Sequence, residues 1–285
     1  MADANTTTRE QARITVTVNG VAYEGWQQSE VERNLEQLGG TFHIPVTLVP
    51  GNPPPIKRQD WVEVHIGTAR VLSGFVLAAE PAYDRNNCSL RVVGRDRTAD
   101  LVHSSAVHQG GQWRKVGLDR ICKDILAPFG IPLVVATDLG EPILDFKLAH
   151  GEVALDALAR AARLRGVLMT SDDAGRLVLT RAGAASFDGV IMRGQNVISM
   201  QGVGSDERRH SQYIVYGQAN MLSLDFDTAR TLKATSRDDE IERYLPLVIN
   251  ADGNVTQAEL QALVDHTQRV RRGHALGLRY VVEGW

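Results

Sequence analysis

The spacing of apolar residues changes once along the chain, near Leu101, and this change constrains the fold more than any other feature. Before it, apolar and polar residues alternate in short runs, for example at 14–18 and 62–66. Alternation with a period of two is typical of strands that bury one face. Turn signals such as the Asn-Gly pair at 19–20 separate the runs. Residues 13–101 are therefore predicted to form a barrel-like antiparallel β-domain.

Beyond Leu101 the apolar residues follow a helical period. One stripe has the spacing of a single helix face and consists of Leu118, Ile121, Cys122, Ile125, Leu126 and Phe129. A second helix is indicated at 152–165, where alanine and leucine are abundant. Two strand patterns then flank a turn signal at 171–175, which predicts a hairpin. Residues 102–182 are expected to form an α+β domain of two helices plus this hairpin.

Strand patterns return after the α+β segment and continue to the run at 276–282. Residues 183–219 together with 274–285 are predicted to form a second barrel-like β-domain, and the segment 220–273 is expected to be inserted into it. The polar residues 1–12 are predicted to be a flexible N-terminus. The fold class indicated is therefore α+β and β-rich, with two barrel-like antiparallel β-domains and small α+β domains between them or inserted.

The inserted segment carries its own helix signal. Thr256 and Glu259 have the S/T-x-x-E spacing of a capping box, so a helix is predicted at 256–272. Three arginines at 269–272 close this helix. Cations there complement the partial negative charge at a helix C-terminus, which explains the run without a nucleic-acid partner.

The charge balance excludes a protein that grips nucleic acid through an overall basic surface. The 31 lysines and arginines face 34 acidic residues, for a formal net charge of −3, whereas phosphate-gripping proteins usually carry a basic excess. No run approaches the ~20 apolar residues of a membrane-spanning helix, and the N-terminus lacks a signal-peptide pattern. The two cysteines, Cys88 and Cys122, have no disulfide or metal spacing and are predicted to be core thiols.

Signals for catalysis are weak. The sequence contains none of the common metalloprotease, phosphate-loop, nucleophile-elbow or dithiol motifs. His103 and His108 lack metal-ligand spacing and are expected in a solvated loop. The charged run at 237–240 has oxygen ligands suited to a cation, but a solvated loop is the favoured interpretation. No catalytic, cofactor-binding or metal-binding residue is predicted, and no cofactor is expected.

One charged motif lies where the strand pattern gives way to the helical pattern. Residues 94–101 read Gly-Arg-Asp-Arg-Thr-Ala-Asp-Leu. As a catalytic loop, Arg95 would bind an anion and Asp96 would act as a base, but no serine, cysteine or histidine is adjacent in sequence. As a structural joint, Arg95, Asp96 and Arg97 pair with one another or with a neighbouring subunit, and Asp96 or Thr98 caps a short helix. The joint is the favoured hypothesis.

These residues also resemble a known family. Trp113 follows the motif within Gly-Gln-Trp and is expected to anchor the segment beyond the joint. The motif, this tripeptide and Ala-Pro-Phe-Gly-Ile at 127–131 are similar to the baseplate hub protein of Mu-like contractile-tailed bacteriophages. Further segments resemble the same family, in order along nearly the whole chain: 19–26, 157–178 and 211–218.

The resemblance implies a homotrimeric ring at the end of the tail tube. In such hubs, two barrel-like β-domains per subunit give a pseudo-sixfold ring that joins the sixfold tail tube protein to the trimeric central spike protein, beside other baseplate proteins. DNA is expected to pass through the channel without specific binding, in agreement with the slightly acidic net charge. The expected location is the tail baseplate of the virion, after assembly in the cytoplasm of the host bacterium.

Two alternatives remain open at the level of sequence. The first is the hub of a phage-derived injection machine, either a tailocin or a type VI secretion spike. Spikes of the latter kind usually carry a long β-helical needle, and no such repeat occurs here. The second is a cell-wall hydrolase that uses Asp96 or the cluster Asp238, Asp239 and Glu240. Because family members continue past the final strand, a C-terminal portion beyond Trp285 is expected to be missing.

Overall fold

The protein is β-rich, with several sheets and few helices, as the computed structural model shows. Antiparallel strand pairs outnumber parallel ones, so the predicted α+β, β-rich class is confirmed. The N-terminus predicted to be flexible, residues 1–12, lies outside the described residues. The structure describes residues 13–23, 29–35, 37–47, 55–83, 85, 88–181, 190–218 and 231–282.

The N-terminal part forms one seven-stranded antiparallel sheet, called the first sheet below. Its strands are β1 (Ile14–Val18), β2 (Val21–Tyr23), β3 (Glu30–Glu32), β4 (Thr41–Thr47), β5 (Trp61–Ile66), β6 (Ala69–Tyr83) and β7 (Cys88–Asp96). They are arranged in the order β2-β1-β5-β6-β7-β4-β3, and among the described residues no pairing joins β2 to β3. Alternate side chains on these strands form an apolar core, as the period of two predicts.

Two glycines allow β6 and β7 to pass close to their neighbours in the first sheet. A Cβ atom at Gly94 would lie 2.2 Å from the Phe42 ring and 2.5 Å from the Phe75 carbonyl oxygen. A Cβ atom at Gly74 would lie 1.9 Å from the Arg95 carbonyl oxygen. Such distances are too short for any side chain, so both positions require glycine.

The next part, called the α+β unit, spans residues 97–180. It begins with a 3₁₀ turn (Arg97–Ala99) and continues with α1 (Asp100–His103), β8 (Gln112–Val116), α2 (Leu118–Leu126), β9 (Leu133–Val135), β10 (Ile143–Lys147), α3 (Ala154–Arg163), β11 (Leu168–Ser171) and β12 (Leu177–Thr180). β8 pairs with β10, and β12 lies between β11 and β9. The predicted apolar stripe is buried between α2, α3 and these strands, so both predicted helices and the hairpin are present.

In its described residues, the C-terminal part contains two separate sheets and the longest helix of the described chain. Its elements are β13 (Val197–Gly204), β14 (Gln212–Gln218), β15 (Thr231–Arg237), β16 (Pro246–Asn254), α4 (Gln257–Gly273) and β17 (Leu276–Val282). β14 lies between β15 and β16, and α4 packs against this three-stranded sheet. β13 pairs with β17 alone among the described residues, which gives a two-stranded ribbon.

The strand pairings connect the segments into which the sequence analysis divides this part of the chain. The strands of 220–273 are hydrogen-bonded to β14, which belongs to the predicted unit 183–219, and the two share a core that includes Tyr213 and Val215. The physical reason is that β14 has N–H and C=O groups along both of its edges. β15 forms hydrogen bonds with one edge and β16 with the other. The pairing of β13 with β17 does join 183–219 to 274–285.

The capping box predicted for the last helix is confirmed. The Thr256 hydroxyl accepts a hydrogen bond from the Glu259 backbone N–H at 3.3 Å, and the Glu259 carboxylate accepts one from the Thr256 backbone N–H at 2.7 Å. These bonds satisfy N–H groups that have no partner within the helix. The helix begins and ends within one residue of the predicted 256–272.

Replacement of Gly94 by alanine is expected to lower the free energy of unfolding by about 3 kcal/mol, because the added methyl group would overlap Phe42. Gly273→Ala is the matched control: nothing lies near its Cβ position, and an effect within about 0.5 kcal/mol is expected. Urea denaturation of the two variants and the unmodified protein measures the difference. Equal stability of the two variants would contradict the packing argument.

Candidate functional site

The Asp96 carboxylate lies buried at the junction between the first sheet and the α+β unit. Asp96 ends β7, and its side chain is 3% exposed. One carboxylate oxygen accepts hydrogen bonds from the Thr98 backbone N–H at 2.8 Å and from the Thr98 hydroxyl at 2.6 Å. The other accepts from the Gly40 backbone N–H at 3.0 Å and from the Ser171 hydroxyl at 2.7 Å. Asp96 therefore ties three distant segments together.

The β11–β12 hairpin is the part of the α+β unit that docks on the first sheet. Arg33 donates to the Ser171 carbonyl oxygen at 2.6 Å, and the Ser73 hydroxyl donates to the Asp173 carbonyl oxygen at 2.8 Å. The Arg70 guanidinium forms an ion pair with the Asp173 carboxylate, with a nitrogen–oxygen distance of 3.0 Å. The turn predicted at these residues is thus held by polar contacts from two parts of the sheet.

Glycine at the tip of the hairpin permits this close docking. Gly175 has a φ of +70°, which side chains rarely adopt, and a Cβ atom there would lie 2.8 Å from the Ser73 carbonyl oxygen. The same Cβ would lie 3.0 Å from the Arg97 Cβ atom. Any larger residue would push the hairpin away from the first sheet and from the Asp96 carboxylate.

The three charged residues predicted at the joint have different surroundings. Arg97 lies between the two parts: its guanidinium is 6.0 Å from the centre of the Trp61 ring and 3.5 Å from the Phe129 carbonyl oxygen. Arg95 instead contacts the His103 ring at 2.9 Å on the exposed side. The predicted pairing of Arg95, Asp96 and Arg97 with one another is therefore not what holds the joint, because each uses other partners.

Trp113 lies inside the α+β unit. Its indole N–H donates to the Asp124 carboxylate at 3.0 Å, and its ring stacks on His108 at 4.1 Å between ring centres. It also packs against Phe146. His108 lies in a loop, as expected, but its side chain is only 25% exposed because its ring covers this indole. Trp113 therefore fixes β8 against α2.

A buried ion pair, which the sequence did not indicate, links the α+β unit to α4. The Arg165 guanidinium pairs with the Glu259 carboxylate, and both side chains are at most 8% exposed. Arg165 also donates to the Glu141 carbonyl oxygen at 2.9 Å. Glu259 thus serves both its capping box and this link. The capping signal could identify Glu259, but nothing local identifies Arg165 as its partner.

The charged run at 237–240 is not a simple solvated loop. The Asp238 side chain is 1% exposed, and Arg209 donates to its two oxygens at 2.9 and 2.8 Å. Arg209 also reaches Glu240 at 2.6 Å and Asp206 at 3.0 Å. The Arg209 hydrogen bonds hold the pKa of Asp238 below its usual value, against the opposing effect of burial. The loop expectation is therefore wrong for Asp238.

The arrangement offers little for chemistry. Asp96 already accepts four hydrogen bonds, and Asp238 is neutralised by a bidentate arginine. Within the described ranges, no group of three or more His, Cys, Asp and Glu side chains could hold a metal ion. Cys122 is fully buried, and burial raises the pKa of its thiol to about 12, so it is inert as a nucleophile. Cys88 is only partly buried.

Comparison with family models divides the chain at the joint. Residues 13–96 match the N-terminal domain of the Mu phage baseplate assembly protein GpP-like family. Residues 98–181 match the second domain of the baseplate hub protein gp44-like family. The two matches meet between Asp96 and Thr98, the residues that share the buried hydrogen bonds.

Known proteins are similar over nearly the whole chain. The baseplate hub protein gp44 of Escherichia phage Mu is 31% identical over 284 residues, which cover 95% of this chain and 74% of that protein. The 43 kDa tail protein of prophage MuSo2 from Shewanella oneidensis has a crystal structure that matches with a TM-score of 0.82 and 33% identity, over 96% of this chain and 83% of that one.

A more distant structure shares the fold alone. It is a component of the Escherichia coli type VI secretion system, described as structurally similar to the phage T4 tail proteins gp27 and gp5. It matches with a TM-score of 0.50 and 14% identity, over 67% of this chain and 56% of that one.

The family models and the two relatives above 30% identity define a structural protein of the phage tail baseplate, a component of the virion and not an enzyme. The chain belongs to the gp44-like family of baseplate hub proteins. None of the helices in the described part of the chain is long and apolar enough to cross a membrane.

Asp96→Asn is expected to lower the free energy of unfolding by about 2–4 kcal/mol. The asparagine NH₂ group would replace one acceptor oxygen, and the hydrogen-bond donors around that oxygen would be left without an acceptor. Ser171→Ala removes one of four hydrogen bonds and is expected to cost about 1 kcal/mol. Asp100→Asn, on the exposed side of the same segment, is the control and should change little. Chemical denaturation ranks the stabilities of the three variants. An Asp96→Asn variant as stable as the Asp100→Asn control would contradict the claim that the Asp96 hydrogen bonds hold the two parts together.

The Asp238 ion pair predicts a specific dependence of stability on pH. Because the folded-state pKa is below the unfolded value of about 3.9, the pair stabilises the protein fully above that pH and less as pH falls through the folded pKa. Asp238→Asn should therefore be less stable than the unmodified protein at pH 7, with a gap that narrows below about pH 4. Denaturation at several pH values measures the gap. The exposed Asp239→Asn should show none, and a gap independent of pH would refute the assignment.

Proposed function

We propose that this hub protein forms a homotrimeric ring at the end of a contractile phage tail, where it joins the sixfold tail tube to the trimeric central spike. The ring surrounds the channel through which DNA leaves the particle. Its partners are further copies of itself, the tail tube protein, the central spike protein and other baseplate proteins. Assembly takes place in the cytoplasm of the host bacterium.

Within each subunit, we assign the two barrel-like domains of the ring to residues 13–101 and to 183–219 with 274–285. The α+β domain, residues 102–182, lies between them in sequence. The segment 220–273 contributes α4 and two strands to the sheet that β14 organises. The division between the first two domains is supported by the meeting of the two family matches near residue 97.

The observation that carries the proposal is the buried polar joint at Asp96. A hub that couples a tube to a spike must hold its parts in a fixed relation when force acts on it. The hydrogen bonds of Asp96 can be satisfied only when β7, the β3–β4 connection and the β11–β12 hairpin keep one arrangement. The Arg165–Glu259 pair extends the same rigidity to α4.

Charge supports a conduit that does not retain DNA. With a net charge of −3, the chain lacks the excess of lysine and arginine with which proteins bind DNA phosphates. Arg209, a buried guanidinium of the C-terminal part, is paired with Asp206, Asp238 and Glu240. Of the three predicted joint residues, Arg95 makes its side-chain contact on the exposed side of the molecule, so we assign it to contact with a neighbouring subunit.

The geometry argues against the cell-wall hydrolase. A general base needs a free lone pair near the substrate, and the Asp96 carboxylate is buried with four donors around it. In the other cluster, Asp238 is enclosed by Arg209, and Glu240 contacts both Arg209 and Arg272. Asp96 and Asp238 are therefore not available as general bases, and Glu240 is paired with two arginines.

The hub of a phage-derived injection machine is the second candidate. The fold match to a type VI secretion component supports this class. The two relatives above 30% identity are a phage and a prophage protein, however, and they favour a phage tail.

The ring can be tested by electron microscopy and native mass spectrometry of the purified chain, alone and mixed with the tail tube protein. We expect closed rings of three copies that cap the end of the tube. Monomers at the highest soluble concentration, with no binding to the tube, would overturn the proposal. Particles that contain a different number of copies around a closed ring would overturn the threefold symmetry.

A further inference from the structure

An open cleft, called the α4 cleft below, lies where α4 meets the α+β unit. Its volume is about 620 Å³, which is within the range of pockets that bind ligands. Arg165 and Glu259 line it and are already paired with each other. The apolar part of its lining consists of Pro142, Leu144, Leu164, Ala258 and Ala262. The cleft can therefore accommodate apolar side chains between two parts of the fold.

Two cations line the α4 cleft without a carboxylate partner among the described residues. They are Lys115 and Arg181. Arg181 donates a hydrogen bond to the Arg165 carbonyl oxygen at 3.1 Å, which leaves its positive charge uncompensated. Glu141 also lines the cleft, but it forms an ion pair with neither cation among the described residues. Apart from the Arg165–Glu259 pair, the lining thus carries two positive charges and one negative charge.

Lys115 has a backbone conformation that lysine rarely adopts. Its φ is +51°, in the left-handed region, although it lies within β8. The alternation of the strand is interrupted there, because Trp113 and Val116 both pack into the core of the α+β unit while Lys115 is exposed. Glycine or asparagine adopts such a backbone with less strain, so the irregular strand does not by itself account for a lysine. Backbone strain of this kind is concentrated at functional sites.

Positive charge continues along α4 beyond the cleft. Glu259, Ala262, His266 and Arg269 are three or four residues apart, so they share one side of the helix, and the first two line the cleft. Arg163 ends α3 beside this side of α4. The pKa of His266 is lowered, first by burial and then by the positive charges of Arg269 and Arg163. Neither arginine has a carboxylate partner in the described part of the chain.

We propose that the α4 cleft binds an acidic segment of a partner protein, with apolar side chains against its walls and carboxylates on Lys115 and Arg181. Charge complementarity selects this occupant, because lysine and arginine pair with carboxylates and both cations lack one. The apolar walls favour a peptide over a nucleic acid, whose phosphate backbone has no aliphatic side chain to place there. The inference does not depend on the proposed ring, since one subunit contains the whole cleft.

Fluorescence anisotropy of a labelled peptide, Glu-Leu-Asp-Glu-Leu-Glu, tests the cleft on the full chain. Its uncharged counterpart, Gln-Leu-Asn-Gln-Leu-Gln, is expected to bind at least about tenfold more weakly. Lys115→Asn combined with Arg181→Gln should raise the Kd of the acidic peptide about tenfold, and asparagine tolerates the left-handed backbone at position 115. The control removes two exposed charges outside the cleft, Arg193→Gln with Arg243→Gln, and should change the Kd less than about twofold.

Cross-linking locates the bound peptide without any substitution. A carbodiimide joins a carboxylate to a nearby lysine amine, and mass spectrometry identifies the lysine. We expect cross-links at Lys115 rather than at the other lysines, which are Lys57, Lys123, Lys147 and Lys233. This measurement also serves if the doubly substituted chain does not fold.

Several outcomes would overturn the inference. They are no binding of the acidic peptide, equal binding of the uncharged peptide, equal weakening by the two double substitutions, and cross-links at the other lysines alone. Tighter binding of oligothymidylate than of the peptide would assign the cleft to nucleic acid instead. If the cleft substitutions separate copies of the chain and leave peptide binding unchanged, the occupant is a second copy. A chain that binds the acidic peptide at Lys115 but forms no ring overturns the proposed ring and leaves this inference standing.

Discussion

The structure depends on the burial of one carboxylate, that of Asp96. A buried charge without partners costs several kcal/mol, far more than a typical net hydrogen bond contributes. Here the charge is compensated by donors from Gly40, Thr98 and Ser171, which come from three segments distant in sequence. All of them are in place only when the first sheet and the α+β unit are docked. An arrangement that left the buried Asp96 carboxylate without these donors would be strongly unfavourable. The docked arrangement of the first sheet and the α+β unit is therefore the stable one.

Further charged contacts continue the coupling toward the C-terminal part. Trp113 and the helices hold the α+β core together, and Arg165 joins that core to the capped N-terminus of α4 through Glu259. At the other end of α4, Arg272 reaches Glu240 in the cluster around Arg209. The charged residues that resemble active sites in the sequence instead form contacts between different parts of the fold. This use suits a baseplate hub, whose work is to hold other proteins in a fixed relation.

Local patterns predicted much of the secondary structure. The period-two runs became β1 and β5, the helical stripe became the buried side of α2, and the capping box began α4 one residue from its predicted start. Each depends on residues a few positions apart, so the signal is contained in the sequence. The parallel pairing of β14 with β16 was not predicted, because strands separated by about thirty residues leave no local signal of which neighbour they choose.

The sequence by itself determined the β-rich class and the family to which the hub motif belongs, and it predicted a change from strands to helices near Leu101. It also favoured a joint over a catalytic loop at Asp96, because no serine, cysteine or histidine is adjacent in sequence. Only the tertiary structure decided what that joint contacts. Ser171 lies 75 residues from Asp96, and Arg165 lies 94 residues from Glu259. Which donors meet a buried charge depends on how the sheets pack, and packing brings together residues that no spacing rule relates.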